Sequence, residues 1–246
     1  MNTHTTINEI ETSILHRKRI SNKKFLNLVY EEWSEILVNN LEKDSGCILE
    51  IGSGGGFIDK YHSKTIKSDI VLLPWVDVVL DAQLLPFQES KLNAMVMVNV
   101  FHHIPNPRIF LEEASRCIAP NGFLLMIEPW VTAWSNIFYK HFHHEPFNPV
   151  SKYWDFQSNG RLSSANGALP WIVFNRDRAV FESEFPYWRI DEVYPFMPFR
   201  YILSGGVSTD LSIPAWTFGF WKWLEKKLEL LSFDLGMFAF IKLIRI

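Results

Sequence analysis

The segment Cys47-Ile48-Leu49-Glu50-Ile51-Gly52-Ser53-Gly54-Gly55-Gly56 constrains the fold of this chain more than any other. Five residues suited to a buried strand run straight into a glycine-rich turn, and a helical stretch from Gly55 to about Ser63 is expected to follow. Glycines at a strand-to-helix turn let backbone approach a ligand where a Cβ would collide, so the pattern points to a nucleotide-like molecule held at the end of a sheet. Several nucleotide-binding classes share G-x-G-x-G, and the turn alone does not choose among them.

The segments downstream extend this pattern. Residues 66–72 and 76–80 read as short strands, and the Met/Val run 94–100 as a strand buried on both faces. Pro105 and Pro107 open a helix through Phe110, Leu111, Ala114 and Ile118; Pro120-Asn121-Gly122 makes a turn, and 123–127 is the next strand. Strands alternating with helices imply right-handed crossovers and a parallel sheet covered on both sides. Upstream, residues 7–43 read as helical, with Ser21 or Asn22 as a cap and the basic residues Arg17, Lys18, Arg19, Lys23 and Lys24 on a solvated face. After Glu128 the periodicity breaks. Residues 131–170 read as an aperiodic lid, 175–184 as a helix, 187–194 as a strand, Trp216, Phe220, Leu224, Leu228 and Leu231 as an apolar helical stripe, and 237–246 as a closing strand.

Composition removes other possibilities. A chain of 246 residues with 48% hydrophobic residues buries a sizeable core, and a formal charge of −3 offers nucleic acid no general attraction. Cys47 and Cys117 are too far apart for a CxxC pattern, which suits a reducing, cytoplasmic setting. The apolar stretches are well short of the ~18 residues that span a bilayer. Eight of 10 Trp and fourteen of 20 Phe lie beyond Glu128, so that half is expected to build either a water-excluding acceptor pocket or the core beneath the lid.

Two aspartates sharpen the ligand class. Asp69 lies 19 residues after Glu50 (69 − 50), where a carboxylate can accept both hydroxyls of an adenosine ribose. Asp81 follows 12 residues later (81 − 69), placed to accept from an adenine amino group. At this point a family resemblance is plain: 49–56, Asp81-Ala82 with Leu85-Pro86-Phe87, 99–104 and 110–129 resemble successive motifs of the class I S-adenosylmethionine-dependent methyltransferases of the type 11 kind. Glu113-Ala114-Ser115-Arg116 followed by Pro120-Asn121-Gly122 is similar to that family's E-A-x-R…P-G-G stretch, with Asn121 in place of a glycine.

The resemblance implies S-adenosyl-L-methionine as cofactor and a three-layer, Rossmann-like α/β fold. Its seven-stranded, mainly parallel sheet would have an antiparallel last strand, in a single domain with an N-terminal helical cover (1–45), a donor-binding core (46–130), a lid and acceptor insertion (131–170) and the C-terminal part of the sheet with a helical insertion (171–246). Gly52 and Gly54 would border the methionine part of the donor, Asp69 the ribose, Asp81 and Ala82 the adenine, and Asn99 the sulfonium. Glu50, Ser53 and Ile70 complete the implied donor-binding set. Stretches around 143–147, 165–171, 176–178 and 201–206 are similar to a poorly characterised bacterial subset with no established acceptor.

Methyl transfer from a sulfonium needs alignment above all, and a base only where the acceptor proton leaves early. Base candidates are His102, His103, His141, His143, His144 and Glu145. The run from His141 to Glu145 has metal-binding residue types, yet no second ligand cluster accompanies it, and no metal is expected. The partner expected is a small or medium acceptor, apolar or ring-containing, with no nucleic acid, peripheral membrane contact left open through the Trp/Lys-rich C-terminal helix, and a monomer or homodimer as the assembly. Two rival readings are weighed: a nicotinamide oxidoreductase, disfavoured because none of the seven tyrosines has lysine four residues on, and a non-catalytic methyltransferase-like scaffold.

Overall fold

The computed structural model describes residues 3–41, 46–55, 58–62, 64–142, 145–157, 164–230 and 235–246. Two helices, α1 (Thr3–Asn22) and α2 (Lys24–Asn39), precede strand β1 (Ile48–Ile51), a single 3-10 turn at Ile58–Lys60, β2 (Thr65–Asp69), a two-residue β3 (Val78–Val79) and β4 (Leu92–Val98). A second 3-10 turn, Phe101–His103, leads to α3 (Pro107–Cys117), β5 (Ile118–Pro129) and α4 (Ala133–Phe142). The short α5 (Leu169–Trp171) runs through a π-turn into α6 (Arg178–Glu184), followed by β6 (Trp188–Phe196), α7 (Arg200–Leu203), α8 (Phe218–Leu230) and β7 (Phe238–Arg245).

The strands form one sheet in the order β3-β2-β1-β4-β5-β7-β6. Neighbours from β3 to β5 run parallel, and β7 runs antiparallel to both β5 and β6. This is the seven-stranded class I arrangement expected from sequence. The period of two along each strand divides the core. Ile48, Ala94, Val96, Leu125 and Ile127 face one side with Phe25, Val29, Trp33 and Leu37 of α2, while Leu49, Met95, Met97, Leu124 and Met126 face the other with Phe110, Leu111 and Ala114 of α3. Asn106 starts α3 by accepting from the backbone N–H groups of Arg108 and Ile109, with Pro107 filling the first turn where its missing donor costs nothing.

Several local expectations change. Among the described residues the 55–63 stretch holds only the one-turn Ile58–Lys60 helix. Neither Ser21 nor Asn22 caps α2: the α1 ladder continues to the Lys23 N–H, which donates to Arg19 O, so the break falls one residue later, on Lys23 itself. The basic cluster is not simply solvated. Arg19 donates to Asp210 and to Val207 O, Lys23 to the carbonyls of Gly206 and Thr209, and the Arg17 guanidinium lies over the Trp75 ring. The 131–170 region contains α4, whose Trp134 donates from Nε1 to Pro198 O, a tertiary anchor without a periodic signature. In the C-terminal helical region Trp216 and Phe220 stand in solvent, whereas Phe218 and Trp221 turn to the core; Leu231 lies outside the described residues.

Candidate active site

The parallel strands end together, and at their C-terminal edge opens a cavity of about 980 Å³, within the size that holds a cofactor and a small acceptor. One wall is the glycine turn. Gly52 takes φ +70, a left-handed conformation open to glycine at little cost, and a Cβ there would land on Val100. Behind the turn, Ser53 donates to the buried Glu50 carboxylate at 2.7 Å, its N–H donates to Ser68 O, and the Ser68 hydroxyl donates to Glu50 O. Glu50 and Ser53 therefore brace the turn from beneath and do not line the cavity, unlike Gly52, Gly54 and Gly55.

Asp69 ends β2 at the cavity wall and is almost fully buried. Burial pushes its carboxyl up, opposed by backbone N–H groups of Val71, Ile70 and Gly54 that point at the carboxylate and hold its orientation. Asp81, Ala82 and Ile70 line the same wall. Asp81 accepts from the Gln83 backbone at 2.8 Å. The loop that follows is tied to α3: Glu113 accepts from Leu85 N, and Arg116 donates to Glu113 and to the carbonyls of Leu85 and Phe87. The Glu113…Arg116 pair and Leu85-Pro86-Phe87 are thus one buckle that positions the Asp81–Gln83 loop. The mutual hydrogen bonds hold Glu113 below the usual carboxylate range.

At the end of β4, Asn99 takes φ +55 and its N–H donates to Ile127 O. Asparagine tolerates this left-handed geometry better than most residues. The turn after it brings His102 and His103 to the cavity. His102 Nδ1 lies 2.6 Å from Glu128 Oε2, and its Nε2 lies 3.5 Å from Glu145. Burial works against its charge, but Glu128 and Glu145 outweigh it and push the imidazole up to about 9, so His102 is charged at neutral pH. His103 is driven the other way, to about 4, by burial and by the charge on His102; its Nδ1 lies 3.2 Å from Ser164 O. Glu145 also lines the cavity, while His141 does not, and His143 and His144 lie outside the described residues.

Other lining residues carry no local motif: Thr12, Ser13, His16 and Ile20 of α1, with Ile20 packed beside Gly55, join Tyr30, Tyr139, Tyr201, Val207 and Ser208 around the cavity. Burial raises all three tyrosine hydroxyls, that of Tyr201 to about 12. The other late aromatics mostly fill the core: Phe174, Phe181, Phe185 and Trp154 pack together beneath the sheet, away from the cavity. No helix among the described residues is long and apolar enough to cross a membrane.

Comparisons with known proteins agree with this geometry. Residues 49–126 match the methyltransferase domain family. A comparison with curated protein sequences finds no match. Among solved structures, geranyl diphosphate C-methyltransferase from Streptomyces coelicolor A3(2), crystallised with Mg2+, geranyl diphosphate and S-adenosyl-L-homocysteine, is similar at TM-score 0.54 and 12% identity, covering 94% of this chain and 83% of that one. A SAM-dependent methyltransferase from Thermotoga maritima gives TM-score 0.52 at 12% identity over 94% and 99% of the two chains. A chain from the complex between the Haloferax volcanii Trm112 methyltransferase activator and a methyltransferase gives 0.52 at 11% over 94% and 97%. Residues 49–126 thus match a methyltransferase domain, and the chain shares the fold of solved S-adenosylmethionine-dependent methyltransferases.

Proposed function

We propose that this enzyme transfers the methyl group to a small or medium, ring-containing or apolar acceptor that enters the cavity beside His103 and the Tyr30, Tyr139 and Tyr201 wall. The observation that carries this reading is one cavity lined by a glycine turn, two aspartates, Asn99, the His102–His103 turn and three tyrosines. The residues fit the donor. Gly54 leaves open the space that a Cβ would fill 3.4 Å from Asp69 Oδ2, and the Asp69 carboxylate is preset by backbone donors to receive ribose hydroxyls. Asp81 and Ala82 would face the adenine, and Asn99 the sulfonium end.

The bound donor supplies an electrophilic methyl group on a neutral leaving thioether, so the protein's work is alignment and exclusion of water. His102 is already protonated and serves as a fixed positive group, while the neutral His103 is the imidazole able to accept a proton. Cys47 and Cys117 are free thiols, in keeping with a cytoplasmic setting. Calorimetric titration with S-adenosylmethionine tests the donor assignment: Asp69→Ala should lose about 1–3 kcal/mol of affinity through unpaired ribose hydroxyls. Unchanged affinity in a folded variant overturns it. Tight donor binding without turnover on any phenol, amine or carboxylate acceptor would favour a scaffold role.

A further inference from the structure

Glu145, brought to the His102–His103 turn from 42 residues away (145 − 103), completes a constellation of which the methyl-transfer reading uses the two histidines only separately, one as a charge and one as a base. The Nε2 atoms of His102 and His103 lie 3.5 Å and 3.9 Å from the two Glu145 carboxylate oxygens, and the ligand atoms of the three residues all fall within 4.8 Å of one another. These gaps are wider than N–H···O hydrogen bonds, which cluster near 2.9 Å. They approach the edge of a metal tetrahedron, roughly 3.3 Å for bonds of about 2.05 Å.

The outer atoms are arranged in the same sense. A metal-binding imidazole offers one nitrogen to the ion and donates from the other to a carboxylate or a backbone carbonyl, which sets its tautomer and aim. His102 directs Nδ1 to Glu128, itself held by the backbone N–H groups of Val100 and Phe101, and His103 directs Nδ1 to Ser164 O. Both Nε2 atoms are thereby left on the side of Glu145, and all three residues line the cavity.

We propose that His102, His103 and Glu145 form a site for one divalent transition-metal cation of the zinc class, with its remaining coordination positions open to the cavity. Two imidazoles and one carboxylate suit zinc, cobalt or iron(II) far better than magnesium or calcium. On binding, the cation takes the place of the proton on His102 Nε2. The inference goes beyond the donor reading and does not need it, since metal and donor binding are measured separately.

The test uses the untagged full-length chain, stripped with a chelator and titrated with Co2+ by absorption and with Zn2+ by calorimetry. One cation per chain is expected, with cobalt ligand-field bands of a nitrogen/oxygen site. Glu145→Gln and His103→Ala should each weaken binding at least about tenfold while circular dichroism stays native. Magnesium should not compete. Nitrogen-15 spectra of histidine-labelled wild type provide the check that needs no variant: zinc should move two Nε2 resonances, those of His102 and His103. Binding that is absent, unaltered by both substitutions, or reported by other histidines of the eight overturns the proposal.

Discussion

His102 Nδ1 and Glu128 Oε2 are 2.6 Å apart in a pocket that leaves both side chains almost without solvent. The other oxygen of Glu128 accepts from Val100 and Phe101. One carboxylate at the end of β5 therefore sets the whole turn leaving β4, Asn99 to His103, and with it the floor of the cavity. Glu128→Ala would strand a charged imidazole and two backbone donors, and a loss of about 3–5 kcal/mol in chemical denaturation is expected. A loss below 1 kcal/mol would show that the turn is held by other means.

Two glycines of the same turn should respond differently. At Gly52 an alanine meets both a left-handed backbone and the Val100 side chain, so Gly52→Ala should cost about 1–3 kcal/mol of stability. At Gly54 the added methyl makes only ordinary contact with Asp69, so the fold should stand and the cost should fall on donor affinity, about 1–3 kcal/mol. Thermal unfolding beside donor calorimetry separates the two effects.

Arg200 is nearly buried between Glu225, to which it donates through Nε, and Glu32, which it grips through both terminal nitrogens at 2.6 and 2.8 Å. This joins α2, α7 and α8 next to Tyr201. Arg200→Ala leaves Glu225 uncompensated in a dry site and Glu32 with only the Lys222 ammonium at 2.8 Å, with an expected loss of about 3–5 kcal/mol. Adding Glu32→Gln and Glu225→Gln should recover a large share of it, which a cycle of denaturation curves would measure.

The α1 strap should act on access more than on stability. Arg19 at the end of α1 and Lys23 just after it hold the 206–210 loop through exposed or half-exposed contacts that add little to stability. The Arg19→Ala, Lys23→Ala double variant should unfold within a few degrees of wild type yet release donor faster in stopped-flow displacement. Raised salt should speed release from wild type more than from the variant.

Acid should loosen the 148–154 segment. Asp177 is held below the usual range first by Arg176 and then by the Trp154 indole, which donates to it at 2.9 Å, while Arg176 also donates to the carbonyls of Pro149 and Ser151. A folded value below the unfolded one, about 3.9, means that this support is present above that pH and is lost as pH falls through the folded value. Hydrogen exchange of 148–154 should rise on acidification below about pH 4, and Asp177→Asn should remove that pH dependence.

Much of the fold was legible because its signals are local. The run into Gly52, the Met/Val strand and the Pro107-led α3 report their own backbone preferences, and their alternation implies a parallel sheet. The 55–63 helix was misjudged because periodicity alone cannot say whether a turn of helix finds a partner to pack on. Glu50 and Ser53 sit within the motif that marks the site, yet only coordinates reveal that their side chains turn inward as a brace. A helical cover from residues 1–45 was expected, but which of its side chains reach the cavity was not, since Thr12, Ser13 and His16 read as ordinary surface helix.

The amino-acid sequence by itself determined the sheet, the edge at which the cavity opens and several of the residues that line it, because chain direction and the pleat carry strand ends to one rim. Which distant groups gather around that rim was decided only in three dimensions. Glu128 and Glu145 come from the end of β5 and from the stretch after α4, and their pairing with His102 and His103 depends on a crossover and a loop path that no short window of sequence encodes. Charge, proton placement and any cation at the site follow from that convergence, since electrostatic energies depend on separation and burial, neither of which is a property of the linear chain.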